Sequence, residues 1–161
     1  MSACHVRIET GRQRLSLIED GRALFETAVS TGRKGLGETR DSEQTPRGWH
    51  YIRAKIGAGC VENTVFVARR PTGEIYSREL GDRFPERDWI LTRILWLSGL
   101  EPGKNRLGPV DTMRRYIYLH GCPDTEPMGV PASHGCIRMR NRDIIELFER
   151  VEPGTRVEIV V

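Results

Sequence analysis

A chain of 161 residues, 38% of them hydrophobic and 29% charged, is long enough to bury a core without disulfide or metal support. We therefore expect one globular domain over residues 1–161. The net charge of +3 does not favour nucleic acid as a partner. No segment approaches the about 20 apolar residues that a membrane-spanning helix needs, so no membrane partner is expected either.

The first half of the chain predicts short strands separated by turns. An Asp20-Gly21 pair is typical of a hairpin turn, and the glycine-rich, charged segment 31–47 predicts a long loop. A second turn is expected at 70–73. The predicted strands cover residues 5–9, 14–18, 23–30, 49–56, 64–68 and 74–77.

The second half contains the most apolar run and the only predicted helix. Residues 89–97 are apolar on both faces except at Thr92 and Arg93, which favours a central strand, although periodicity alone leaves a short helix open. A strand over 116–119 ends at His120. A helix over 142–151 has one apolar stripe and Asn141 as its N-cap, and a strand over 156–161 follows. The predicted fold is mainly β, with one C-terminal helix.

The segment 116–139 holds the residues that suggest chemistry. His120 ends a predicted strand, and a loop then leads to Ser133-His134-Gly135-Cys136. A cysteine attacks as its thiolate, which a nearby imidazolium or backbone N–H groups stabilise. This pattern predicts Cys136 as the nucleophile and His120 as its base. No cofactor is expected for such a mechanism.

The neighbours of Cys136 suggest how a substrate is held. Glycine lets backbone N–H groups approach closely, so the N–H groups of Gly135 and Cys136, with that of His134, are candidates for an oxyanion hole. Arg138 is expected to hold a substrate carboxylate with its planar fork. Ser133 is either a substrate contact or a hydroxyl that shapes a turn.

A zinc site is the alternative from another class of protein. His120-Gly121-Cys122 and His134-Gly135-Cys136 repeat one tripeptide, which offers two histidines and two cysteines as ligands for a binding domain. The spacing differs from that of common zinc sites, and the glycines would have no special role. No targeting segment is visible at the start of the sequence, so a cytoplasmic protein with four free thiols is expected.

With these residues, the chain resembles the YkuD, or L,D-transpeptidase, family. The signature is a histidine, a loop, and Ser/Thr-His-Gly-Cys, here His120 and residues 133–136. Residues 29–32, 45–48 and 105–108 also resemble family segments. The resemblance implies a β-sandwich-like fold of mixed sheets around a peptide cradle, with the carbonyl of Gly121 orienting His120.

The resemblance also implies a substrate, the peptidoglycan tetrapeptide stem. Cys136 would attack the carbonyl that precedes the terminal D-alanine and form a thioester. Water as the acceptor gives an L,D-carboxypeptidase, which the expected cytoplasmic location favours, and an amine gives an L,D-transpeptidase. Family membership further implies that carbapenems acylate Cys136. Cys122, beside the base, is either inert or able to pair with Cys136 on oxidation.

Overall fold

The computed structural model describes residues 4–161, so the predicted domain boundary at Met1 lies outside the described residues. Over this range the chain forms ten strands, two α-helices and a short 3-10 helix at Gly108–Val110. The strands are β1 Cys4–Glu9, β2 Arg14–Glu19, β3 Arg22–Ala28, β4 Gly48–Ile56, β5 Thr64–Val67, β6 Arg70–Ile75, β7 Ile90–Gly99, β8 Tyr118–Gly121, β9 Ile137–Met139 and β10 Arg156–Val160. The helices are α1 Arg78–Arg83 and α2 Asn141–Arg150.

All ten strands of the described range belong to one mixed sheet. Its main path runs β3-β2-β1-β10-β4-β7-β5-β6, and β8 and then β9 branch from β7. The pairs β1–β10 and β8–β9 are parallel, and the others are antiparallel. The mainly β, mixed-sheet class expected from the sequence is confirmed.

The main core lies on one face of this sheet, because alternate strand residues point toward it. It receives Val6 and Ile8 from β1, and Leu95 and Leu97 from β7. Helix α2 covers this face with the apolar stripe that the sequence predicts: Ile144, Leu147 and Phe148 are buried, followed by Val151.

The helices depart from the prediction in two details. Asn141 is not the N-cap of α2: the cap is Arg140, without a side-chain hydrogen bond, and Asn141 is the first helical residue. Helix α1 was not predicted, although Ser77 caps it by accepting from the N–H of Leu80. Neither helix of the described residues is long and apolar enough to cross a membrane.

The turns decide how the strands pair. The Asp20-Gly21 hairpin between β2 and β3 is confirmed, with both residues at positive φ. The turn predicted at 70–73 is wrong, because Arg70 already pairs with Val67 in the β5–β6 hairpin. The two turn residues are instead Ala68 and Arg69, with φ of 49° and 64°.

Candidate active site

The alternation of side chains along β8 and β9 defines the face that carries the candidate site. Leu119 and Ile137 point into the main core. The residues before them, Tyr118 and Cys136, pack together on the opposite face. His120 follows Tyr118 by two residues, so it shares that face.

His120 and Cys136 are close in space but not hydrogen-bonded. In the parallel register, His120 pairs with Arg138, two residues after Cys136. Strands about 4.8 Å apart with a rise of about 3.3 Å per residue place the two Cβ atoms roughly 8 Å apart. Between these two described side chains no hydrogen bond is formed. The fold therefore brings the predicted pair to one face of two adjoining strands.

His120 is buried and held in one tautomer. Its Nδ1 lies 2.6 Å from the carbonyl oxygen of Gly121, which can only accept, so Nδ1 carries the proton and Nε2 is left as a base. Burial lowers the pKa of His120, against the raising effect of Asp88 and of the Gly121 carbonyl. A Cβ at Gly121 would overlap with Asn141 Oδ1 and Leu91 O, so this position requires glycine.

The thiol of Cys136 is bound to backbone groups of the preceding strand segment. Its Sγ accepts the N–H of Tyr118 and donates to the carbonyl of Tyr116, both at 3.3 Å. Burial raises the pKa of Cys136 to about 12, and Asp88 adds to the increase. The raised pKa of Cys136 and the lowered pKa of His120 favour a thiol and a neutral imidazole as the resting pair at neutral pH.

The loop before Cys136 is fixed by its own serine. The Ser133 hydroxyl donates to the carbonyl of Cys136 at 2.5 Å and accepts the N–H of Gly135 at 3.1 Å. Ser133 is buried, so of its two predicted roles the structure supports turn formation and not substrate contact. The Gly135 N–H is therefore already hydrogen-bonded. Of the three N–H groups predicted for the oxyanion hole, those of His134 and Cys136 remain as candidates.

A second loop clamps the same segment from the other side. Thr45 Oγ1 donates to the Gly135 carbonyl at 2.8 Å and accepts the Gly32 N–H at 2.8 Å. Gly135 has a φ of 120°, and a Cβ at this position would lie 3.2 Å from the Gln44 carbonyl oxygen. The long loop predicted over 31–47 therefore supports the cysteine loop.

Arg138 does not offer a free clamp for a substrate carboxylate. Its side chain is 8% exposed and forms ion pairs with Asp88 and Glu126, each at 3.2 Å, besides a hydrogen bond to the Ala132 carbonyl. These contacts give Arg138 a structural role, and its binding of a substrate carboxylate stays a prediction. Its guanidinium joins the segment before β7 to the loop between β8 and β9.

Asp88 is the charged residue that links the candidate site. Besides Arg138, it approaches His134 Nδ1 at 3.5 Å. Partial burial would raise the pKa of Asp88, but His120, Arg138 and His134 together lower it. Sequence analysis missed Asp88, and the only available signal was an acidic residue directly before the apolar run of β7.

The surface above Cys136 forms a cavity of about 440 Å³. Arg69 and Arg115 line it together with Asp88, and the exposed ring of His134 stands at its edge. A neighbouring cavity of about 310 Å³ also borders Asp88 and His134. Like Asp88, Arg69 and Arg115 were not predicted as site residues.

The zinc alternative is not supported by the geometry. In the described part of the chain, no three His, Cys, Asp or Glu side chains are arranged to hold a metal ion. The Cys122 thiol is buried against the Met139 carbonyl, whereas His134 extends to Asp88. Burial raises the pKa of Cys122 to about 12, which favours the inert role among the two left open.

The family model of the YkuD L,D-transpeptidase catalytic domain matches residues 4–159. The chain therefore belongs to the L,D-transpeptidase family of enzymes.

Two bacterial relatives illustrate the similarity. YqjB of Bacillus subtilis (strain 168), which carries an L,D-transpeptidase name, is 26% identical over 155 residues, or 96% of this chain and 70% of YqjB. YbiS of Escherichia coli (strain K12), also named as an L,D-transpeptidase, is 46% identical over 46 residues, or 29% of this chain and 15% of YbiS. The match to YbiS thus covers a small part of that relative's length.

Solved structures show the same fold at low sequence identity. L,D-transpeptidase 3 from Mycobacterium tuberculosis has a TM-score of 0.59 at 16% identity, covering 99% of this chain and 62% of that one. The L,D-transpeptidase LdtMt1, solved in complex with imipenem, has a TM-score of 0.58 at 18% identity, covering 99% of this chain and 59% of that one. At these identities the likeness establishes the fold alone.

Proposed function

We propose that the protein cleaves the L,D peptide bond before the terminal D-alanine of a peptidoglycan tetrapeptide stem by acyl transfer to Cys136. The observation that supports this most is that His120 and Cys136 share one face of two adjoining strands, with a charged cavity above Cys136. Family membership supports the reaction class. Cys136 is the nucleophile in this proposal, and His120 is the base.

The route of the proton follows from the resting protonation states of Cys136 and His120. Sγ attacks the carbonyl carbon while its proton passes to Nε2 of His120, the unprotonated ring nitrogen. The C–N bond then breaks, and the same proton passes to the leaving amine nitrogen. A thioester on Cys136 and a free D-alanine result. Because burial raises the pKa of the Cys136 thiol, the attack needs a base that takes up its proton.

We propose water as the acceptor. Water attacks the thioester carbonyl, gives a proton to His120, and Sγ recovers that proton as it leaves. Support comes from the open rim of the cavity, where the side chains of His134 and Asp88 are 55% and 41% exposed. Solvent therefore reaches the region above Cys136.

An amine acceptor is the second candidate, and it would make the protein a transpeptidase. The neighbouring cavity favours it, because the carboxylates of Glu86, Asp88 and Glu126 outnumber the guanidinium groups of Arg87 and Arg138 in its wall. An ammonium group is attracted to such a wall. This cavity shares Asp88 and His134 with the one above Cys136, so an acceptor in it would lie beside the thioester.

Incubation with a soluble disaccharide tetrapeptide, followed by mass spectrometry, tests both candidates. Loss of one alanine indicates hydrolysis, and a dimer or exchange with an added D-amino acid indicates transpeptidation. Cys136→Ala is expected to abolish either product, with Cys122→Ala as a matched thiol control that retains it. Intact substrate under both conditions, with folded wild-type protein, refutes the proposal.

We also propose that carbapenems acylate Cys136, as the family resemblance implies. The related LdtMt1 was solved in complex with imipenem. The intact mass of the wild-type protein should rise by one drug molecule after exposure to imipenem, and that of Cys136→Ala should not. An unchanged mass of folded wild-type protein contradicts this expectation.

A further inference from the structure

Arg69 occupies a strained turn at the wall of the Cys136 cavity. It is the second of two turn residues, after Ala68, that have positive φ in the β5–β6 hairpin. Glycine or asparagine normally takes such positions, because an L side chain in this conformation is strained. Strain retained beside a reactive cysteine suggests that the turn is kept for the position of its side chain.

The Arg69 guanidinium lies against two aromatic rings. It lies 4.8 Å from the centroid of Trp96 and 4.5 Å from that of Tyr116, and its Nη1 donates to the Tyr118 hydroxyl at 2.9 Å. These cation–π contacts and the hydrogen bond to Tyr118 hold the guanidinium in place. Among the described residues, no carboxylate lies within ion-pair distance of Arg69. The cation is ordered, yet no acidic group neutralises it.

The other two arginines near Cys136 are already occupied. Arg138 pairs with two carboxylates, and Arg115 donates to the carbonyls of Gly37 and Gln44 and to the hydroxyl of Ser42. Arg69 alone combines an ordered fork with donors, Nε and Nη2, that make no hydrogen bond to the described part of the chain. These donors suit a ligand that carries a carboxylate.

Tyr118 sets the distance between this fork and the thiol. Its N–H bonds Cys136 Sγ and its hydroxyl accepts from Arg69, so about one tyrosine length separates the two groups. An extended residue spans about 3.5 Å. A substrate in the cavity that Arg69 and Cys136 both line would have its attacked carbonyl at the thiol and its terminal carboxylate at the fork.

We propose that Arg69 binds the free α-carboxylate of the residue that leaves, and so makes the enzyme specific for the last peptide bond of a chain. This inference rests on the proposed function and names the group that the donor substrate must carry. A bidentate pair between a guanidinium and a carboxylate is geometrically selective. A stem whose terminal carboxylate is amidated, or extended by another residue, loses that pair.

The test compares kcat/KM for a tetrapeptide stem with a free terminal carboxylate and for the same stem with a terminal amide. Wild-type protein should prefer the acid by about 10- to 100-fold, the range for loss of a charged hydrogen bond. Arg69→Gln should reduce the preference to about twofold or less. Because each variant is judged by its own ratio, a partly unfolded preparation does not imitate the result.

Two further variants separate this role from a structural one. Arg53 also lies over the Trp96 ring, but it does not line the Cys136 cavity. Arg53→Gln should therefore keep the full preference for the acid over the amide. Arg69→Lys, which keeps the charge but not the fork, should show an intermediate ratio. An unchanged preference in Arg69→Gln, or no preference in wild-type protein that cleaves both stems, overturns the inference. Wild-type protein that cleaves neither stem refutes the proposed function, and the inference with it.

Discussion

Removal of the Ser133 hydroxyl should both destabilise the protein and displace its nucleophile. The hydroxyl makes two hydrogen bonds inside a buried loop, one to the Cys136 carbonyl and one from the Gly135 N–H. Ser133→Ala leaves both backbone groups without that partner. A buried unsatisfied polar group costs about 1–3 kcal/mol, so the free energy of unfolding should fall by about 2–4 kcal/mol.

Urea denaturation measures this loss. With a slope of about 2 kcal/mol/M, the unfolding midpoint should fall by about 1–2 M. On the tetrapeptide stem, kcat should decrease with little change in KM, because Ser133 orients the cysteine loop without touching substrate. Ser133→Thr keeps the hydroxyl and should recover most of both quantities. A midpoint and kcat for Ser133→Ala equal to those of wild-type protein would refute this account of the loop.

Three other predictions concern charge and backbone strain. Asp88 raises the pKa of His120, so Asp88→Asn should move the acid limb of the pH profile of kcat/KM to lower pH. The control variant Asp82→Asn, which changes an exposed carboxylate, should leave the limb in place. A limb of Asp88→Asn that stays in place or moves to higher pH contradicts this prediction. Burial lowers the pKa of His50 to about 4. The unfolded chain therefore binds this proton first as pH falls from about 6.5, and about 3 kcal/mol of stability is lost by pH 4. Urea denaturation of His50→Gln should lack this part of the acid loss, and an equal loss in both proteins would count against it. Ala68→Gly should raise the free energy of unfolding by about 1 kcal/mol by relieving the positive φ, and a decrease would disprove the strain.

Local patterns in the sequence predicted most of the fold. The alternation in β1, β2 and β10 and the apolar stripe of α2 each reflect burial on one face, which a short window of sequence records. Helix α1 has six residues and none of them is buried, so its sequence has no periodic apolar stripe that would predict a helix. The Thr72-Gly73 pair suggested a turn, but Gly73 lies within β6 and the chain reverses at Ala68 and Arg69.

The candidate site was predictable only where its residues share one loop. His120 and Cys136 were found because they flank a single segment of unusual composition. Arg69 and Tyr118 are 49 residues apart in the sequence, and Asp88 and Arg138 are 50 apart. Such contacts arise from the order of strands in the sheet, which no local pattern encodes. The hydrogen bond of Gly135 N–H to Ser133 and the ion pairs of Arg138 likewise depend on partners that come together only in the folded chain.

The most direct test of the central claim is to trap the acyl-enzyme. Wild-type protein mixed with a tetrapeptide stem is quenched in acid within one turnover, digested, and mapped by mass spectrometry. The account predicts a tripeptidyl thioester on the peptide that contains Cys136, and a much slower appearance of that adduct in His120→Gln. An acyl group on Cys60 or Cys122, or full turnover by Cys136→Ala, would contradict it.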